Sequence, residues 1–253
     1  MADTPEEARA AAQEQARTGA VTDAMQTLEA AANGGDVSAA YSLAEIHAFR
    51  GEWSKVIDRL APLCAEPDAL SAGNMKRDAA GLLWRAAEAT GRWSDARAQL
   101  SKLPEQAVGG LLFASLGRYL ESEGKADPPV LSGLIGTTEE RRAQYVVKVG
   151  RSAGKPVGIF VSASNDPDLD TEAVAAFPAA KELLNFNQTL AAARSLVRVL
   201  RPDDAWAAVA AKAKGWMPID ASQIAPAVLL WDPDLRPMMT PARCAEVLAR
   251  NAS

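Results

Sequence analysis

The chain has 253 residues, with 27 basic side chains against 32 acidic ones and a formal charge of −5. Hydrophobic residues make up 48% and aromatics only 6%, and 53 alanines account for the difference. Alanine is the best helix former and buries little area per residue, so this composition points to close-packed helices and a protein of modest side-chain bulk. It also argues against several classes. No run of about 18 apolar residues is present, so no membrane span is expected. The opening residues Met1 to Glu7 are acidic and precede no apolar stretch, which argues against a secretory signal and for a cytoplasmic protein. Cys64 and Cys244 form no CxxC pair, and His47 is the sole histidine, so neither a disulfide framework nor a metal centre is expected, and no other cofactor. The acidic balance, with no basic patch interleaved with aromatics, argues against nucleic acid as a partner.

Charge and residue type change along the chain. Residues 1–127 carry 13 basic and 19 acidic side chains, whereas 128–253 carry 14 and 13. Val, Ile and Pro become more frequent past Asp127. Two domains are therefore expected, 1–135 and 140–253.

The first domain repeats. Gly51-Glu-Trp53-Ser54-Lys-Val56 running to Leu60 matches Gly91-Arg-Trp93-Ser94-Asp-Ala96 running to Leu100. Gly19-Ala-Val21-Thr22-Asp-Ala24 running to Leu28 has the same skeleton. Each copy follows one helical stretch and begins another. The glycine suits the left-handed residue that ends a helix. The apolar residue two places on suits a corner plug, and Thr22, Ser54 and Ser94 are expected as N-caps. Ala24, Val56 and Ala96 are slender where helices would cross, with Leu28, Leu60 and Leu100 one turn further along the same face. Trp53 and Trp93 are expected to pack, and His47 to be a satisfied core histidine.

Ala40, Leu43, Ala44 and His47 precede Gly51, and Ala80, Leu83, Trp84 and Ala87 precede Gly91. Phe113, Leu116, Gly117 and Leu120 precede Gly124 in a fourth first helix. Over residues 5–125 this pattern resembles the tetratricopeptide repeat, although most of that family's large aromatics are missing and the spacing reaches 40 residues. The resemblance implies a surface, lined by the first helices, that holds a protein or peptide segment. By family position the partner-facing residues would be Arg9, Gln13, Tyr41, Glu45, Asp78, Arg85, Glu88 and Arg118.

The second domain reads as alternating strands and helices. Strands are expected at 144–149, 156–162 and 195–200, with helices at 170–184 and 203–214. A hairpin is expected from 227–231 and 235–239, then a helix at 241–249 capped by Thr240 with Pro241 in its first turn. Gly150 to Pro156 only faintly suggests a phosphate loop, since Pro stands where Ser or Thr should be. Asp166 to Asp170 begins like a calcium loop but has Thr171 and Phe177 at its sixth and twelfth positions.

Lys155 to Ser164 and Ile224 to Asp232 carry a resemblance to the thioredoxin fold. That implies a multidomain protein of α plus α/β class, a helical repeat array followed by a thioredoxin-like domain. Where that family has Cys-x-Pro-Cys, this chain has Asn165-Asp166-Pro167-Asp168, so thiol exchange is not expected there. The groove implied by the resemblance comprises Asn165, Asp166, Pro167, Asp168, Ala225 and Pro226, the proline being cis in that family. The expected function is a non-catalytic adaptor or chaperone-like protein. The alternatives are an enzyme acting on a small molecule near Asn165–Asp168, or an inhibitor or immunity-type binder. The partner's identity and the oligomeric state stay open.

Overall fold

The structure is a computed structural model, described over residues 4–69, 73–126, 148–152, 155–159, 184–218 and 222–249, and over 170–171, 174–175, 177–178 and 181–182. The chain divides into two compact units. The first comprises Met1–Leu131, Met217–Asp232 and Thr240–Ser253; the second comprises Ser132–Trp216 and Pro233–Met239. No helix among the described residues is long and apolar enough to cross a membrane.

The first unit is a run of packed helices compatible with a helical repeat array. They are α1 (Pro5–Arg17), α2 (Val21–Asn33), α3 (Val37–Phe49), α4 (Trp53–Ala65), α5 (Gly73–Thr90), α6 (Trp93–Leu100), α7 (Glu105–Val108) and α8 (Gly110–Glu121). From α1 to α6 each helix packs on the next, and α6 packs on α8. Gly19, Gly51 and Gly91 end their helices with φ of 87°, 72° and 73°, a conformation that side chains with a Cβ disfavour. The next amide closes the turn: Ala20 N–H donates to Gln15 O and Glu52 N–H to His47 O, both at 2.8 Å. Ala24, Val56, Ala96, Leu28, Leu60 and Leu100 are all buried.

The capping expectation is corrected. The second helices begin at Val21, Trp53 and Trp93, so Thr22, Ser54 and Ser94 lie inside them. The N-cap residues are Ala20, Glu52 and Arg92, none with a side-chain cap bond. The cause is the tightness of the turn, in which the residue after the glycine both closes one helix and starts the next. A true side-chain cap stands between α2 and α3. Asp36 Oδ1 accepts from Ser38 N–H at 2.9 Å and Ala39 N–H at 3.2 Å, and Arg9 pairs with Asp36 Oδ2 at 2.5 Å.

The thioredoxin-like α/β expectation is overturned, and the fold is α-helical. The only sheet among the described residues is an antiparallel hairpin of β1 (Lys148–Ser152) and β2 (Lys155–Ile159), with Gly150 opposite Val157. The expected strand at 195–200 is instead the end of α9 (Phe186–Arg198). Its Val and Leu run suggests a strand, but Leu190, Ala193 and Leu196 are buried at helical spacing while Val197 and Val199 stay partly exposed. The expected hairpin is a short helix, α11 (Val228–Trp231), and a 3-10 turn at Arg236–Met238. No cis peptide bond occurs among the described residues, so Pro226 is trans. Asn165, Asp166, Pro167 and Asp168 lie outside the described residues.

The second unit contains α9 and α10 (Pro202–Ala213), which pack together. Their turn repeats that of the first unit: Arg201 N–H donates to Leu196 O at 2.8 Å, and Leu200 occupies the left-handed position at φ 61°. Ala205 and Val209, five and nine places on, are buried as Val56 and Leu60 are after Gly51. Within this unit Arg198 joins Asp170 Oδ1 at 3.2 Å to Asp234 Oδ2 at 2.5 Å, and Ser195 Oγ donates to the same Asp170 oxygen at 2.7 Å. The last helix, α12 (Pro241–Leu248), belongs to the first unit and packs on α3; Thr240 Oγ1 accepts from Arg243 N–H at 3.3 Å.

Candidate functional site: a peptide segment held across three first helices

α3 is buried along its length from Ala39 to Phe49, including Ser42, Glu45 and His47. A helix of an array normally keeps one polar stripe in water. Here residues 222–231 of the same unit meet that stripe at Ser42 and Glu45 and also bond α1 and α5.

The grip is directed at the segment's backbone. Gln13 Nε2 of α1 donates to Gln223 O at 2.8 Å. Ser42 Oγ of α3 donates to Ser222 O at 2.5 Å. Glu45 Oε2, one turn further, accepts from Ile224 N–H at 2.6 Å and Ala225 N–H at 3.3 Å. Side chains at positions i and i+3 of one helix face the same way, which places the Ser42 donor and the Glu45 acceptor along successive peptide groups.

The far end of the segment is read through an indole. Trp231 Nε1 donates to Asp78 Oδ1 of α5 at 2.9 Å, and the Arg77 guanidinium lies 5.8 Å from the ring centroid. The ring rests on Gly81, where a Cβ would fall 2.3 Å from indole Cδ2. Between the two ends, Ile224, Ala225, Ala227 and Leu229 are buried.

Three titratable groups lie under the segment. Burial pushes Glu45 up to about 8, against the opposing hydrogen bond from the Ile224 amide. Desolvation raises Asp78 to about 7, against the bond from Trp231. Burial, with Glu45 and Asp78 nearby, drives the Tyr41 phenol well above its ordinary value. Loss of hydration disfavours each charged form, and Asp78 adds to the shift of Glu45.

The expected partner-facing residues therefore do not all share one site. Gln13, Glu45 and Asp78 bond the 222–231 segment, and Tyr41 is buried within electrostatic reach of Glu45 and Gln223. Arg85 and Glu88 pair with each other on α5, and Arg85 stacks over Trp53 at 5.6 Å. Glu88 Oε1 also accepts from Trp84 Nε1 at 2.9 Å and from the Tyr119 hydroxyl at 2.8 Å. Arg9 is engaged by Asp36, and Arg118 is exposed. His47 is buried with Nδ1 3.0 Å from Glu52 Oε2. Ala225 and Pro226, expected in a thioredoxin-like groove, belong to the held segment instead.

Ser42, Arg77, Gly81 and Trp231 are the contributors that sequence reasoning missed. Gly81 offered a signal, because a glycine inside a helix is destabilising by about 1 kcal/mol and marks a close approach. Among the described residues no three His, Cys, Asp or Glu side chains converge to hold a metal ion. A separate cleft of about 370 Å³ lies in the second unit, lined by Phe177, Leu196, Ala207, Ala208, Ala211 and Lys212 among others. No protein family, curated protein or solved structure matches the chain.

Proposed function

We propose that the protein is a non-catalytic, chaperone-like or adaptor protein that holds a protein partner on the first-helix face of its first unit. The observation that supports this reading is the backbone-directed grip at Gln13, Ser42 and Glu45, which bonds carbonyls and amides of a chain segment irrespective of its side chains. Stacked helix pairs commonly use such faces to hold extended segments. The indole site at Asp78 and Gly81 adds a sequence-selective anchor to that grip.

The test is a native pull-down with the tagged full chain, quantified by mass spectrometry, alongside a light-scattering assay on a heat-aggregating client protein. A stoichiometric protein partner, or suppressed aggregation, is the expected result. Recovery of no partner together with no effect on aggregation would overturn the reading.

A further inference from the structure

We infer that residues Ser222–Trp231 are a built-in ligand of the first-helix groove, and that the partner is a protein carrying a similar uncharged segment ending in tryptophan. This rests on the proposed partner-holding function and names the class of partner for the same site.

Four features carry it. The segment reaches the groove from far along the chain, with 180 positions between Ser42 and Ser222 and 153 between Asp78 and Trp231. It is bound as a peptide ligand is bound, by main-chain hydrogen bonds plus one deep aromatic anchor. Its anchor has a dedicated seat: a glycine where the ring lies, an acceptor for the indole N–H and a guanidinium by the ring. The groove also selects against acidic ligands, because Ile224, Ala225 and Ala227 are buried and a carboxylate in their place would lose its hydration. Gln223, Ile224, Ala225, Pro226 and Ala227 bring none.

A segment tethered to its own groove competes at an effective concentration on the order of millimolar. A free peptide of the same sequence must therefore bind poorly to the wild-type chain and well once the resident segment is weakened. Ala225→Asp weakens it without changing any groove residue, since Ala225 is fully buried and a carboxylate there would be stripped of water.

The experiment uses the full-length A225D chain and a fluorescein-labelled synthetic peptide of residues 222–232, followed by anisotropy. The expected result is saturable binding to A225D at least tenfold tighter than to wild type, lost when the peptide carries Trp231→Ala. An A225D chain with wild-type helical circular dichroism that fails to bind the peptide would overturn the inference. If A225D does not fold, hydrogen exchange of the wild-type chain decides the matter. Millimolar peptide should speed exchange at Ile224 and Ala225 while α3 and α5 stay protected, and unchanged exchange refutes the proposal.

The two readings fail separately. A partner recovered by the full chain, without peptide binding to the opened groove, removes the built-in ligand and leaves the partner-holding function. Peptide binding without any recovered partner or client removes that function and leaves the segment as an internal latch.

Discussion

Trp231 lies against the backbone of α5 at Gly81, so close that a Cβ on Gly81 would stand 2.3 Å from indole Cδ2. One side chain from the end of the segment and one missing side chain on a first helix thus define each other.

Gly81→Ala should therefore destabilise the protein by about 2–3 kcal/mol, the cost of forcing extra volume into a packed contact. In a Trp231→Ala background the same change should be neutral or stabilising by up to about 1 kcal/mol, because alanine is the better helix residue. Urea denaturation of the four members of this cycle checks it. Equal costs in both backgrounds would exclude the contact as the source.

Glu45 should make stability depend on pH. Its folded value of about 8 lies above its ordinary 4.5, so the folded state keeps a proton that the unfolded chain gives up. Stability contributed by the protonated carboxyl is full below about 4.5 and is lost as pH rises toward 8. Glu45→Gln keeps an oxygen to accept from Ile224 and Ala225 but cannot ionise. The variant should match wild type near pH 5 and exceed it at pH 9, read from urea midpoints across that range.

Leu200 holds a left-handed conformation at φ 61° and is 88% exposed, so its backbone is strained and its side chain contributes little packing. Leu200→Gly should relieve about 1–2 kcal/mol of backbone strain, less the conformational entropy of glycine, for a net gain of about 0.5–1 kcal/mol. A raised thermal midpoint is the expected readout, and a lowered one would contradict the account of this turn.

Arg198 bridges two acids in the second unit, and Asp170 is buried beneath it. Arg198→Ala should cost about 3 kcal/mol by leaving that carboxylate without its cation. Adding Asp170→Asn should recover part of the loss. Additive costs in the double variant would show that the two residues act independently.

The repeat turns were legible in the sequence because their causes are local. A glycine free to take positive φ, an apolar residue two places on and a small residue five places on are fixed by the geometry of one corner, and Gly19, Gly51 and Gly91 satisfy it. The corner between α9 and α10 has the same geometry, with Ala205 and Val209 in the matching places, but Leu200 stands where glycine signals the turn. The strand-like run from Ser195 to Leu200 concealed it further. Packing of Leu190, Ala193 and Leu196 outweighed the β preference of the two valines.

By itself the sequence determined the helix–turn–helix register of the first unit and the glycines that close its turns, while the polar stripe of its first helices was implied only by the family resemblance. Tertiary structure alone decided what covers that stripe. Tyr41, Glu45 and Asp78 look like residues facing a partner, and they carry no local mark of being met by Gln223, Ile224 and Trp231. Turn geometry and helical period are set within a few residues, whereas a contact across 150 or more positions depends on chain closure and shape fit, which leave no periodic trace.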